Sequence, residues 1–231
     1  KPEAVRQRGS SRYVINIVPE SSITIKELSL TLKNTYSPAD RIFVNGYESW
    51  TDSRERGVND SIKPLDSSLL STYLAYQGDY TFYSYTGEAG TLHSFSYTYI
   101  KSRDGICRFI GSMAEHTGFT VFEHRTHENV LLIRKDCGDL YIDGEYRGID
   151  ILLDRGCEQE VFDDYFKFLG TKRARTQPCT GWTSWYYYYN NISEDIIMQN
   201  MDALSKRNIP IDIFQIDDGY QQVVGDWTRV N

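Results

Sequence analysis

The sequence predicts a mainly β protein: an antiparallel β-sandwich over residues 1–157, followed by a helix and then one strand–helix–strand unit. Three observations carry this. Short runs rich in β-branched and aromatic residues recur, with turn residues between them, up to about residue 155. The hydrophobic period then changes from two to three and four over Glu158–Leu169. Finally, one amphipathic helical stretch lies between two short apolar runs near the end of the sequence.

Tyr13–Val18 and Ile23–Leu32 are the first expected strands. Asp40-Arg41-Ile42-Phe43-Val44 leads into Asn45-Gly46, the strongest short-range hairpin signal, so a tight turn is expected there. Residues 51–70 are polar and predict a long loop, and long loops in compact domains are often functional. Further strands are expected at Thr81–Tyr85, Phe95–Ile100, Cys107–Ser112, Phe119–His124 and Val130–Arg134. In Ser94-Phe95-Ser96-Tyr97-Thr98-Tyr99 rings alternate with hydroxyl residues, a period of two that puts three rings on one core-facing side. Asp143-Gly144 marks another hairpin, and Ile149–Leu153 completes the β region.

Val161, Phe162, Tyr165, Phe166 and Leu169 make one apolar stripe, and Gly170 suits the helix C-terminus. Residues 158–178 are therefore read as helix plus linker, with the basic, polar run Thr171–Pro178 as the boundary. Beyond it, Ser193 is an N-cap, Glu194 and Asp195 complement the dipole in the first turn, and Ile197, Met201 and Leu204 form the apolar stripe. Asn208 closes the helix and Pro210 prevents its continuation. Ile211–Ile216 then reads as a buried strand, ended by Asp217-Asp218-Gly219.

With 231 residues and 40% hydrophobic composition the chain can bury a sizeable core. A formal charge of −7 without a basic patch argues against nucleic acid or an anionic membrane surface as partner. No apolar run approaches the roughly twenty residues that span a bilayer, and no charged-then-apolar leader opens the sequence. Cys107, Cys137, Cys157 and Cys179 are scattered without CxxC spacing, so they are expected to be unpaired, in a reducing, cytoplasmic setting. His116, His124 and His127 lie near Glu115, Glu123 and Glu128, but in no metal-ligand pattern, so neither metal nor cofactor is expected.

The candidate site is Asp217-Asp218 with Trp185. In parallel βα units chemistry gathers at the carboxyl ends of the strands, where these carboxylates should sit. Carboxylates accept hydrogen bonds from vicinal hydroxyls while an indole covers an apolar ring face, so the pairing suits a polyhydroxylated ligand. Asp-Asp-Gly is equally a turn sequence, and the Tyr186–Tyr189 run is either a platform or, in a strand, packing on alternate sides.

Gly181-Trp182-Thr183-Ser184-Trp185-Tyr186, followed by Phe214-Gln215-Ile216-Asp217-Asp218-Gly219-Tyr220-Gln221 and Gly225-Asp226-Trp227, closely resembles the first two barrel strands of family 36 glycoside hydrolases, the retaining α-galactosidases and their relatives. Asn45-Gly46-Tyr47-Glu48-Ser49-Trp50 resembles a motif in the amino-terminal β domain of that family, and Thr183 stands where the family more often has Cys. The resemblance implies a supersandwich-type β domain over 1–157 and a truncated (β/α)8 barrel opening at 179–231. It implies that Asp217 and Asp218 bind the hydroxyls of a terminal α-linked galactose, with Trp185, Trp50 and Trp227 lining the pocket. The catalytic aspartates would lie on later strands, leaving this chain a fragment inactive by itself. Relatives acting on α-N-acetylgalactosamine or transferring galactose, as raffinose synthases do, are alternatives within the fold. A non-catalytic carbohydrate-binding or interaction module is the alternative of another class. Two parallel strands leave open edges, so either self-association into a homo-oligomer through this segment or high mobility after Pro178 is expected.

Overall fold

The structure, a computed structural model, describes residues 3–7, 9–65, 78–171, 177–223 and 225–230. The chain divides into two compact units, Lys1–Thr171 and Lys172–Asn231.

In the first unit the strands are β1 Glu3–Gln7, β2 Ser10–Ile17, β3 Ile23–Lys33, β4 Arg41–Val44, β5 Arg54–Gly57, β6 Thr91–Phe95, β7 Tyr97–Lys101, β8 Cys107–Ser112, β9 Phe119–Arg125, β10 Val130–Ile142 and β11 Tyr146–Gly156. They make two antiparallel sheets, β1-β2-β11-β8-β7-β4-β5 and β3-β10-β9-β6. Ile110, Ile149 and Ile151 of the first pack with Phe122, Leu131 and Ile133 of the second, as two sheets facing across a core must. Helix α1, Glu158–Phe168, covers the other face of the seven-stranded sheet, burying Val161 and Tyr165 against Tyr99, Cys107, Phe109 and Leu152. That sheet is therefore apolar on both sides, and β8 reads accordingly: Cys107 and Phe109 face the helix while Ile110 faces the sandwich. Gly111 lacks a side chain where the Tyr165 ring lies, since a Cβ there would come within 2.6 Å of Tyr165 Cε2.

Several sequence expectations are corrected here. Asn45-Gly46 is not a tight hairpin turn: β4 pairs with β5, Val44 opposite Arg54, so residues 45–53 form the connection. The Asn45 carboxamide is instead used at long range, its Oδ1 accepting from Phe95 N (2.6 Å) and Ser94 Oγ (2.9 Å). The polar stretch 51–70 is not all loop, since β5 forms within it, and its residues 66–70 lie outside the described residues. Thr81–Tyr85 is not a strand, because Phe82 N (2.8 Å) and Tyr83 N (2.7 Å) both donate to Asp79 O and coil the segment. Phe95–Ile100 is two strands in different sheets, broken at Ser96, whose φ is +63°. The three rings therefore separate: Phe95 packs with Tyr83 and Val121, Tyr97 and Tyr99 with Phe43 beneath α1. Asp143-Gly144 carries the chain from one sheet to the other instead of joining paired strands. All four cysteines are free.

The second unit has β12 Gly181–Thr183, the single turn α2 Trp185–Tyr188, α3 Glu194–Lys206 and β13 Ile213–Gln215. β12 and β13 pair in parallel, Gly181 opposite Ile213 and Thr183 opposite Gln215, so α3 is the crossover of a βαβ unit. Ser193 caps α3 by accepting from Ile196 N, and Asn208 closes it at φ +51°. The Tyr186–Tyr189 run departs from the expected strand, because Tyr188 N and Tyr189 N bond back to Ser184 O and Trp185 O. Nor is the second strand buried on both faces: Ile213 and Ile216 are half exposed. The boundary run 172–176 lies outside the described residues. Among the described residues no helix is long and apolar enough to cross a membrane.

His124 sits fully buried inside the sandwich, with Nδ1 3.1 Å from Tyr36 Oη and Nε2 3.0 Å from Thr98 Oγ1. Burial, reinforced by the nearby Arg108 charge, pushes its pKa down to about 3. The ring is therefore neutral at pH 7, and the unfolded chain binds a proton between about pH 6.5 and 3 that the folded chain does not. This contribution is present above pH 6.5 and is lost as the pH falls. Urea unfolding at pH 7 and pH 5 should show the native protein losing about 2 kcal/mol more than His124→Gln does. Equal losses would mean that His124 protonates in the folded state.

Candidate functional site

The parallel register fixes where the expected carboxylates fall. Trp185 follows β12 and Asp217-Asp218 follow β13, so all three stand at the carboxyl ends of adjacent strands. Ser184, fully buried, joins the two ends: its N–H donates to Gln215 O (3.3 Å) and its Oγ accepts from Asp217 N (3.0 Å). Asp217 Oδ1 accepts from Asp218 N (2.8 Å), which turns the backbone. Its Oδ2 receives only long contacts from Thr183 Oγ1 and Gln215 Nε2, each 3.4 Å. Asp218 Oδ1 accepts from Gln221 Nε2 (3.0 Å). Asp217 and Asp218 are both partly exposed, so these carboxylates are oriented yet open to a ligand.

The turn is held from below by Gly219. At φ +102°, its missing Cβ would lie 2.7–2.9 Å from backbone atoms of Asn190, closer than any side chain tolerates. Trp185 meets Tyr189 edge-on at 5.3 Å, and α2 is tied to α3 by Asn200 Nδ2 donating to Tyr188 Oη at 2.9 Å. Tyr186 and Tyr187 project into solvent. Trp227 is 79% exposed and 6.3 Å from Tyr220, the loosest of the expected site residues. A separate cavity of about 400 Å³ between α3 and the segment after β13 is lined by Ile197, Met198, Met201, Ile216 and Tyr220. Its lining is mainly apolar, with Ser193 and Glu194 at one end, and includes neither Asp217 nor Asp218.

Trp50 belongs to the first unit and is 70% exposed. It occupies a turn, Glu48-Ser49-Trp50-Thr51, closed by Thr51 N donating to Glu48 O at 3.0 Å. Beneath it lies Asp79, a fully buried carboxylate whose Oδ1 accepts from Tyr47 N (2.7 Å), Glu48 N (2.9 Å) and Thr51 Oγ1 (3.1 Å). Oδ2 faces His93 Nε2 at 3.1 Å, and the His93 ring stacks on Tyr83 at 3.8 Å. Burial alone would raise the Asp79 pKa, but the hydrogen bonds from His93, Glu48 N and Thr51 outweigh it and hold the carboxyl below its usual range. Gly46 explains the Asn-Gly pair, since a Cβ there would collide with Asp79 Oδ2 and the Thr51 side chain.

Sequence reasoning missed three of these groups: Ser184, Asp79 and His93. Ser184 was visible only as a member of the motif it shares with Trp185. Asp79 is a lone acid among aromatic residues, with no periodicity to mark it. The three histidines near Glu115, Glu123 and Glu128 are not gathered. His124 is enclosed by hydroxyls and His127 contacts Asn59, and among the described residues no group of three metal-ligating side chains occurs.

A glycine comparison tests how firmly the acidic turn is held. Gly219→Ala should destabilise the second unit by about 2–4 kcal/mol through backbone strain plus collision with Asn190. Gly225→Ala, also at positive φ but with nothing within 4 Å of its Cβ, should cost only the strain, about 1–2 kcal/mol. Thermal unfolding of the two variants measures the difference, and equal losses would show that Asn190 gives way.

No family model matches the sequence. Among solved structures, the chain is similar to the α-galactosidase TtGalA from Thermus thermophilus in complex with p-nitrophenyl α-D-galactopyranoside. The TM-score is 0.59 and the identity 23%, over 98% of this chain and 43% of that one. The same enzyme in complex with stachyose gives a TM-score of 0.59 and 23% identity, over 98% of this chain and 45% of that one. The chain thus spans less than half the length of these structures. Over nearly its whole length, it has the fold of part of this Thermus thermophilus α-galactosidase.

Proposed function

We propose that the chain is part of a retaining glycoside hydrolase that releases terminal α-linked galactose. In this reading residues 1–157 are its β-sandwich domain, 158–178 a helix and linker, and 179–231 the opening βαβ of a (β/α)8 barrel. The observation that carries it is that Asp217-Asp218 and Trp185 each stand one residue beyond the carboxyl end of a strand, β13 and its parallel neighbour β12. A fold shared with an enzyme solved with α-galactosides supports it.

The roles follow from the chemistry. The two carboxylates accept hydrogen bonds from neighbouring sugar hydroxyls and Trp185 covers an apolar ring face, while Trp227 and, in the first unit, Trp50 are each read as a further sugar-facing indole. Asp217 and Asp218 are consecutive in one turn and approach a ligand from one side. Double displacement needs a nucleophile and an acid flanking the scissile bond, with carboxyl groups roughly 5–5.5 Å apart. Both aspartates are therefore binding groups, and the reading assigns nucleophile and acid/base to residues outside these 231.

In the whole protein, Asp217→Asn and Asp218→Asn should each lower kcat/KM on p-nitrophenyl α-galactoside while leaving the melting temperature nearly unchanged. A lost charge-assisted hydrogen bond is worth about 1.5–3 kcal/mol, roughly ten- to more than a hundredfold. Activity on the N-acetylgalactosaminide in preference to the galactoside would redirect the substrate. Unaltered kinetics in both variants would make Asp-Asp-Gly a plain turn.

A further inference from the structure

We propose that Asp79 is a positioning residue for sugar binding, acting by fixing the turn that presents Trp50. The proposal rests on the reading of Trp50 as a sugar-facing residue. It adds a residue twenty-nine positions away that would not itself touch the ligand.

The geometry separates what is held from what is shown. Both ends of the turn, Glu48 through its N–H and Thr51 through its hydroxyl, bond to the single oxygen Asp79 Oδ1. Among the described residues the Asp79 oxygens bond Tyr47, Glu48, Thr51 and His93, and Trp50, at the centre of the turn, is 70% exposed. The residue before the turn is fixed twice: Tyr47 N–H on the same Oδ1, and the Tyr47 ring 4.8 Å from both Phe82 and Phe119. Asn45 anchors the entry to β6. Gly46 has no Cβ, which lets the chain close onto the carboxylate.

A surface turn does not need such a support. Glu48-Ser49-Trp50-Thr51 already closes through its own backbone bond, and burying a carboxylate is costly unless several donors converge on it. Here four donors converge, and His93 is itself immobilised against Tyr83. An exposed indole that stacks on a sugar gains affinity from being held in place beforehand, because the ordering cost is met in folding and not at binding. That is the return on a buried anion under an otherwise ordinary turn.

The partition between the two oxygens provides the test. Asn at position 79 keeps a carbonyl oxygen for the three loop donors and alters only the side facing His93, whereas Ala removes every acceptor. In the whole protein, Asp79→Ala should raise KM for p-nitrophenyl α-galactoside roughly tenfold or more with kcat within about threefold, and Asp79→Asn should restore most of the loss. In a Trp50→Ala background, Asp79→Ala should add nothing further, because both act through the same ring. Gly46→Ala, which retains every hydrogen-bonding group but crowds Asp79, should mimic Asp79→Ala and serves if that variant fails to fold. Hydrogen exchange should show Tyr47 and Glu48 amides losing protection in Asp79→Ala but not in Asp79→Asn. Additive effects with Trp50→Ala, or a fall in kcat and melting temperature without a KM change, would overturn the proposal in favour of a purely structural Asp79. If Trp50→Ala itself leaves KM unchanged, the sugar-facing reading of Trp50 fails and the proposed role falls with it, while the exchange data still report whether Asp79 holds the loop.

Discussion

The β region depends on one residue that belongs to both of its sheets. Ser96 donates its N–H to Thr120 O at 2.9 Å in the four-stranded sheet, and its carbonyl accepts from Ser112 N at 2.7 Å in the seven-stranded one. Between those bonds the chain turns through φ +63°, and β6 and β7, though consecutive, enter different layers. Left-handed backbone is costly for a residue with a Cβ, and small polar residues carry that cost best when their peptide groups are well bonded. With both Ser96 peptide groups satisfied, Phe95 goes to the Tyr83 cluster on one side, and Tyr97 and Tyr99 go beneath α1 on the other. The two tyrosines that α1 covers on β7 follow from that change of layer.

The same sandwich encloses several polar groups whose partners offset much of their desolvation. Asp150, its side chain fully buried, is gripped by Arg12 Nε at 2.7 Å and Arg12 Nη2 at 2.6 Å, the bidentate geometry that makes a guanidinium–carboxylate pair directional. Lys135, 1% exposed, has no carboxylate within salt-bridge distance among the described residues and donates to Ala114 O (2.8 Å), Gly148 O (2.9 Å) and Thr117 Oγ1 (3.1 Å). Burial lowers its pKa, and what it gains in return is a link from β10 to the irregular register of β11 between Arg147 and Ile149. Such groups specify which strands meet more than they add net stability, because an apolar replacement could fill the volume but could not choose among partners.

How far the sequence could be read depends on whether the deciding interactions were local. The β8 strand Cys107–Ser112, the helix Glu158–Phe168, the Ser193 cap and the left-handed Asn208 were all legible, because propensity, capping and periodicity act within a few residues. Asn45-Gly46 misled because its amide and its missing Cβ serve residues 94, 95 and 79, contacts that no local pattern announces. The period-two pattern over Ser94–Tyr99 was real, but its meaning was reversed by one left-handed residue that moved half of it to another sheet. Tyr186–Tyr189 has strand propensity and forms a helical turn, since Ser184, fixed across β12 and β13, offers its carbonyl to Tyr188 N. At the candidate site the proposed ligand-facing residues came from motif and chemistry, whereas Ser184, Asp79 and His93, which bond to them or to their turns, had no local signal.

That asymmetry has a physical basis. In both units the side chains open to a ligand rest on a turn, and the turn rests on a buried polar group: Trp50 over Asp79 in the first, Asp217 and Asp218 over Ser184 and Gly219 in the second. In the proposed function the exposed residues match a ligand, so their type is constrained by chemistry that a sequence displays. The buried ones must match a backbone, through a hydroxyl at 3.0 Å from Asp217 N or a carboxylate at 2.9 Å from Glu48 N, and that constraint exists only once distant segments have met. A turn without such support would be free to reorient, and an indole or a carboxylate pair on it would be ordered only by the ligand, at the expense of affinity. The two supports use different chemistry, a charged acceptor in one unit and a neutral hydroxyl plus a glycine contact in the other. What they share is that an exposed turn is fixed from beneath by a group bonded to its backbone.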